Sequence, residues 1–434
     1  MLDLQPLRSA SFRHLAAAYW VNEFGNWIGE IALTLLVYDR THSPLSTAAL
    51  FLSLRFLPAL LAPLLTLRVE TLPARALLTA MYLLEALFFA GLALLTHHFS
   101  LAAVFGLGAL DGVLAVTAKA LTRGATANGL LKRGLLREGN GILNLGAMAS
   151  TAGSPVIAAA LVAWKGAGLA LQVDAVTFLL TAAIIATTPG LRIESEAEAT
   201  FTARLKSGLS AASNNKPVEH LLSAIALVMV VSAVPIPIEV VFAKHTLHAG
   251  ASGYGLLLGS WGVGMVIGGA VFASAREVRL MRLLAAGTLL NALGYGGLAI
   301  SPTLAVACIS SAVGGMGNGV AWVAAVTAIQ ERIPPNTQNG VMSVLEGLNQ
   351  VMPAIGFVAG GVITAVSSPR IAYGVAAVGI AATVLGASRL ALGRSPGIHL
   401  HPPDLPADKG DSRANKQEMR LSDKSLSLAT FTTG

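Results

Sequence analysis

Four residues in the first apolar run carry the clearest chemical signal: Glu23, Asn26, Trp27 and Glu30, within residues 19–38. Their spacing of i, i+3, i+4 and i+7 lays them along one stripe of a helix. The run is long enough to cross a bilayer, where an acid at a helix centre costs roughly 2.5–3.5 kcal/mol on insertion scales. Glu23 and Glu30 must therefore face water, a partner or a substrate. A carboxylate in a low-dielectric cavity holds a proton more readily than it does in water, and releases it when water enters or a cation pairs with it. Coupling transport to protons requires that behaviour, and Glu23 and Glu30 meet the requirement in type and spacing. Paired structural carboxylates leave the same signature.

The first half of the chain adds Arg55, Glu85, Asp111, Lys119 and Asp174 within or at the edges of its apolar runs. The second half holds Glu239 and Glu346, with Gln330 and Asn349 near run ends. This asymmetry suits a protein in which one half handles protons or charged substrate and the other forms a mostly apolar wall. Asn26, Trp27, Arg55, Glu85, Asp111, Glu239 and Glu346 are the expected lining of a substrate cavity. Structural alternatives stand beside that reading. Arg55 can neutralise Glu30 or Glu85, since a buried charge persists chiefly when paired. Asp111 can make a helix–helix hydrogen bond. Glu239, just after Pro235 and Pro237, can belong to a hinge in a broken helix. Lys119 is expected to snorkel toward the surface, and Asp174 reads as an architectural hydrogen-bonding residue.

Other chemistries find little support. The sequence has no GxxxxGK[ST] loop to cradle phosphates, and no Ser/His/Asp set or HExxH helix in a suitable context, which argues against an ATP-driven pump or an enzyme and implies no cofactor. His97, His98, His245 and His248 fall in loops on one side and read as solvated residues rather than metal ligands. A single cysteine, Cys308, excludes an internal disulfide and reads as helix filler. The pairs Gly264-x-x-x-Gly268 and Gly315-x-x-x-Gly319 favour close helix packing.

The elements that must position these residues follow from composition. Of 434 residues 54% are hydrophobic and only 12% charged, with a mean hydropathy of +0.68, against about 25% charged in soluble domains. The chain reads as an all-α polytopic membrane protein. Apolar runs lie near 15–38, 46–67, 75–96, 100–122, 138–163 and 167–188, then near 220–243, 253–274, 280–300, 303–328, 341–366 and 371–392, which makes six spans plus six. The expected organisation is an N-terminal tail (1–14), a six-helix half (15–188), a central loop (189–219), a second six-helix half (220–392) and a disordered tail (393–434). Within the central loop, residues 201–212 suit either a short amphipathic surface helix or a partly disordered linker. The first run is too long and too charged for the core of a signal peptide.

The net charge of +7 comes from Lys and Arg clustered in alternate loops, without the aromatic interleaving that single-stranded nucleic acid needs. No nucleic-acid partner is expected. The same asymmetry places both termini in the cytoplasm, and two six-helix halves point to a transporter built of repeats with its site between them.

A family resemblance rests on a set of ordered motifs. Phe12-Arg13, Phe24-Gly-Asn-Trp27, Ala32-Leu-Thr-Leu-Leu-Val-Tyr-Asp39, Ser43-Pro44 and Arg55-Phe-Leu-Pro58 open the series. Asn140, Ser154-Pro155, Asp174-Ala-Val-Thr-Phe178, Tyr254-Gly-Leu-Leu257, Gly262-Val-Gly264, Gln330 and Pro334 continue it. Together, over about residues 10–392, they resemble the macrolide-efflux-like and enterobactin-exporter-like branch of drug:proton antiporters in the major facilitator superfamily. Where relatives carry an acid after the first-span glycine, this chain has Asn26, so the resemblance moves any proton role to Glu23 or Glu30. The family's cytoplasmic loop between spans two and three is thinned to Glu70 and Arg75, one acid and one base that the resemblance casts as gating residues. The fifth-span antiporter motif is similar to residues 150–159, where Pro155 supplies the bend and small residues the close packing.

The combined expectation is a monomeric twelve-helix transporter in a bacterial inner membrane, exporting a small hydrophobic or amphipathic compound in exchange for protons. The alternatives are uptake or facilitated movement of a metabolite, siderophore or lipid-like solute, and a non-transporting scaffold or sensor.

Overall fold

A computed structural model of the chain describes residues 5–69, 72–131, 134–189, 191, 201–275 and 277–392. Residues up to Ala387 form one compact unit. Ser388–Gly434 form a second, described only through the last turn of the final helix. The expected disordered tail therefore lies outside the described residues.

Every regular element among the described residues is helical. The first span is α1 (Ala10–Thr41). The second comprises α2 (Pro44–Phe51), a π turn (Leu52–Phe56) and α3 (Leu57–Val69), and spans three to six are α4 (Ala74–Leu94), α5 (Leu101–Leu131), α6 (Leu136–Lys165) and α7 (Ala167–Thr187). A connecting helix, α8 (Phe201–Ser213), lies where the sequence suited a surface helix or a linker. The seventh span is broken into α9 (Lys216–Ala233), a 3₁₀ turn (Ile236–Ile238), α10 (Glu239–Val241) and a second π turn (Phe242–Thr246). Then come α11 (Gly250–Ser274), α12 (Leu280–Ile300), α13 (Leu304–Gln330), α14 (Pro335–Val366) and α15 (Pro369–Leu392). Eleven of these spans are long and apolar enough to cross a membrane by themselves. The remaining one is α1, 32 residues long, whose polar stripe of Asn22, Glu23, Asn26 and Glu30 dilutes its apolar character.

Local chemistry sets the helix ends. Ser9, Ser43, Asn215 and Thr303 accept hydrogen bonds from backbone N–H groups three residues on, satisfying donors that a helix start leaves free. His42 takes a left-handed conformation (φ 52°) to end α1, so two residues suffice to reverse the chain into α2. Pro235 and Pro237 remove N–H donors from the seventh span, which answers with the 3₁₀ turn.

Packing places α1 at the centre of the first six spans. It lies against α6 and α7, and Ile31 to Tyr38 are buried without interruption. A helix buried on all sides belongs to a bundle core. Gly25 and Gly29 let α7 come close: a Cβ at Gly25 would sit 1.9 Å from Thr177 Oγ1, and one at Gly29 2.1 Å from Asp174 Oδ2. In the last six spans the two GxxxG pairs interlock. Cβ atoms at Gly264 and Gly268 of α11 would meet the carbonyls of Ala312 and Met316, and those at Gly315 and Gly319 of α13 the carbonyls of Trp261 and Met265, all at 2.1–2.5 Å. Leu60, Leu61, Leu64, Ile309 and Val378 are exposed, as expected where hydrocarbon replaces water as solvent.

Contacts between the two sets of spans lie near the Thr41 end of α1 and continue along α6, where Thr151 meets Gly262 and Met148 meets Gly269 of α11. Pro155 and Ala159 of α6 meet Gly255 of α11, Ala48 of α2 meets Gly361 of α14, and the rings of Phe51 and Phe357 lie 5.5 Å apart.

Candidate functional site

Glu30 and Arg55 form the centre of the site. Arg55 Nη2 donates to Glu30 Oε1 at 2.6 Å and to Oε2 at 2.9 Å, and Nε reaches Oε2 at 3.3 Å. Multidentate charge-assisted bonds of this kind fix both groups in orientation. Arg55 sits in the π turn of the second span, where one extra residue per turn changes the direction of the side chains that follow. Its side chain is 41% accessible and that of Glu30 23%, so the pair is only partly enclosed. Thr34 Oγ1 donates to the Glu30 carbonyl at 2.7 Å, and Tyr254, buried at the start of α11, brings the other set of spans within electrostatic reach of the same pair.

A second pair stands two turns along the same stripe. Lys119 Nζ lies 2.5 Å from Glu23 Oε1. Lys119 keeps a side chain 40% accessible, as snorkelling allows, while its ammonium pairs with a buried carboxylate on α1. Lys119 Nζ and Arg123 Cζ both lie over the ring of Tyr19, at 5.9 and 5.7 Å, and Arg123 Nη2 donates to the Tyr19 hydroxyl at 3.0 Å. Asn26 and Trp27 lie between the two pairs in sequence and are half-buried, with Trp27 packed on the main hydrophobic core.

Glu85 and Asp111 were expected in the cavity lining, and the structure encloses them. Glu85 is 0% and Asp111 7% exposed, and with the fully buried Asp174 they stand within electrostatic reach of one another on α4, α5 and α7. Asp174 Oδ1 accepts from Thr177 Oγ1 at 2.9 Å, which fits the architectural reading, while its Oδ2 and both oxygens of Glu85 have no hydrogen-bond partner.

In the last six spans Glu239 opens α10 just after the double-proline break and is half-buried. It stands within electrostatic reach of Tyr254, Tyr295 and Tyr373. These belong to an aromatic wall: Trp261 stacks on Tyr295 at 5.2 Å, and Tyr373 meets Phe242 edge-on at 4.9 Å. Glu346 is exposed on α14, accepts from Gln350 Nε2 at 3.0 Å, and acts at longer range on Arg123. Of the residues expected to gate, Glu70, Arg75 and Pro155, Glu70 lies outside the described residues. Arg75 donates to the Thr188 carbonyl at 2.6 Å, so it caps the end of α7, and Pro155 offers its carbonyl to the close approach of Gly255. No group of three or more potential metal ligands occurs among the described residues.

Sequence reasoning missed the junction between the sets of spans. Lys244 pairs with Asp39, and His245 lies edge-on to Tyr38 at 5.6 Å. Opposite charges at two helix ends were visible in the sequence, but nothing in it brings those ends together.

Comparison with known proteins places this geometry. Among solved structures, the chain is similar to a point mutant of the nucleoside transporter NupG (TM-score 0.72, 12% identity, covering 88% of this chain and 99% of that one). It is similar to the POT family transporter PepTSo (TM-score 0.70, 10% identity, 88% and 98% covered). A bacterial homologue of the iron transporter ferroportin in an inward-facing state also matches (TM-score 0.67, 17% identity, 87% and 98% covered). At these identities the likeness concerns the fold. No curated protein sequence matches the chain. The sequence profile of the transmembrane secretion effector family matches residues 2–408, and the chain belongs to that family of major facilitator membrane transporters.

Proposed function

We propose that the protein is a proton-coupled exporter of a small hydrophobic or amphipathic compound, working by alternating access as a monomer in a bacterial inner membrane with both termini cytoplasmic. The observation that carries this reading is the Glu30–Arg55 pair: charged, partly accessible, and facing a second set of spans dominated by apolar and aromatic side chains. A proton on Glu30 removes its charge and loosens its hold on Arg55, and an arriving substrate competes for the same groups. Glu23 and Lys119 repeat the arrangement nearer the N-terminal end of α1. With the N-terminal end cytoplasmic, the Asp39–Lys244 pair would close the outer side, which supports an inward-facing state. Rocking of the halves 15–188 and 220–392 then exposes the pairs to the other side. Asn26, Trp27, Glu239 and Glu346 line the path, while Glu70, Arg75 and Pro155 serve the gate.

The test uses inverted membrane vesicles with an imposed pH gradient and ethidium as the transported probe. Wild type is expected to accumulate ethidium and release protons in exchange, and Glu30→Gln or Glu23→Gln to uncouple the two. Coupled transport unaffected by either substitution removes the role assigned to these carboxylates. Ethidium movement only down its own gradient favours facilitated transport instead.

A further inference from the structure

Glu85 on α4 is an enclosed charge-bearing group of the first six spans. Its side chain is wholly buried and both carboxyl oxygens lack a hydrogen-bond partner. Asp111 on α5 and Asp174 on α7 face it from the helices packed against α4, and each leaves one oxygen unpartnered. The basic groups on the surrounding elements are engaged elsewhere: Arg55 with Glu30, Lys119 with Glu23, and Arg123 with the Tyr19 hydroxyl. The acids of α1, Glu23 and Glu30, each hold one of those cations. Tyr82, one turn before Glu85 on α4, is buried with its hydroxyl 3.3 Å from Thr122 Oγ1, and it stands within electrostatic reach of both Glu85 and Glu23.

Three enclosed carboxyls with unpartnered oxygens, and no unengaged cation beside them among the described residues, require a positive ligand, because an uncompensated buried charge is among the costliest features a fold can hold. The enclosure leaves room for the smallest such ligand. We infer that Glu85, with Asp111 and Asp174, is a second proton-binding site, separate from the cavity pairs and reached from the Glu23 side past Tyr82 and Thr122. The proton enters from cavity water, forms an O–H bond on the Glu85 carboxyl, and returns to water when that bond breaks. Occupancy by a proton follows from the burial alone, whereas a part in driving export rests on the function proposed above.

Infrared difference spectroscopy of the reconstituted full chain tests the site without any substrate. Wild type at neutral pH is expected to show a protonated-carboxyl C=O band that shifts slowly on transfer to heavy water, as an enclosed group does. Glu85→Gln is expected to remove about one carboxyl's share of that band, and Asp111→Asn and Asp174→Asn to alter what remains, while Glu219→Gln, at an exposed carboxylate paired with Lys216, leaves it in place. Absence of the band from wild type overturns the inference whether or not any variant folds, as does a band unchanged in all three variants. A band that behaves as expected in a protein that moves no ethidium upholds the proton site and removes the export reading.

Discussion

Asp39 at the end of α1 and Lys244 in the seventh span, 205 positions apart in sequence, form an ion pair that joins the two sets of spans. The edge-on contact of His245 with Tyr38 belongs to the same junction. The pair is partly exposed, so its contribution is that of a surface ion pair, about 0.2–1 kcal/mol. A conformational equilibrium is sensitive to differences of that size, since about 1 kcal/mol changes a population ratio roughly fivefold.

Reversing one charge, as Asp39→Lys or Lys244→Asp, is expected to shift the protein toward opening at this end, by up to about fivefold in the open-to-closed ratio. The double reversal restores the closed population. Distances between spin labels flanking Asp39 and Lys244 read both populations. Equal distributions in single and double variants would show that the pair bears no load.

Removing one partner of the central pair costs more than removing both. Arg55→Gln leaves Glu30 charged and without its partner, a cost of about 1–3 kcal/mol for a polar group left unsatisfied, whereas Arg55→Gln with Glu30→Gln leaves two neutral amides. The double variant is expected to melt closer to wild type in detergent than the single one does. A double variant that melts lower than Arg55→Gln would count against pairing as the reason for Arg55.

Gly315→Val places methyl groups where even a Cβ would lie 2.1 Å from the Trp261 carbonyl. Overpacking of a well-filled interface costs about 1–3 kcal/mol, and the variant is expected to lose monodispersity and melt early. Gly374→Ala, where a Cβ meets nothing within 4 Å, is the control and should match wild type. Equal melting of the two variants would mean that α11 and α13 do not depend on this approach.

Gly255→Val acts between the sets of spans, where a Cβ meets Ala159 at 2.4 Å and the Pro155 carbonyl at 2.5 Å. Rigid-body separation can relieve that clash, so the expected outcome is faster backbone hydrogen exchange in α6 and α11 with little change in melting. Early melting with unchanged exchange would place the strain within one half.

The spans were legible in the sequence because bilayer-length apolar runs leave few alternatives: α12 matches its expected range of 280–300 residue for residue. The polar stripe on α1 was legible for the same reason, since a carboxylate amid apolar residues stands out. What it pairs with was not. Arg55 was weighed against Glu30 and Glu85 alike, and Lys119 was given no partner, because helix rotation relative to neighbours is set by packing that no local pattern records. The enclosure of Glu85 and Asp111, both expected in a cavity lining, had the same cause, because how closely α4, α5 and α7 pack is not written in any one of them. The two π turns left no sequence signal at all.

The π turn at Leu52–Phe56 makes the second span sensitive to residue count as well as to residue identity. One extra residue is wound into that turn, and each α-helical residue turns the chain by about 100°. Deleting a single residue there would leave an apolar helix of bridging length and yet swing everything after it around the axis relative to Ala48 and its seat on Gly361. Arg55 would then point away from Glu30 in a chain whose composition had hardly changed. Among relatives, an insertion or deletion in this segment is thus a change of chemistry disguised as a change of length.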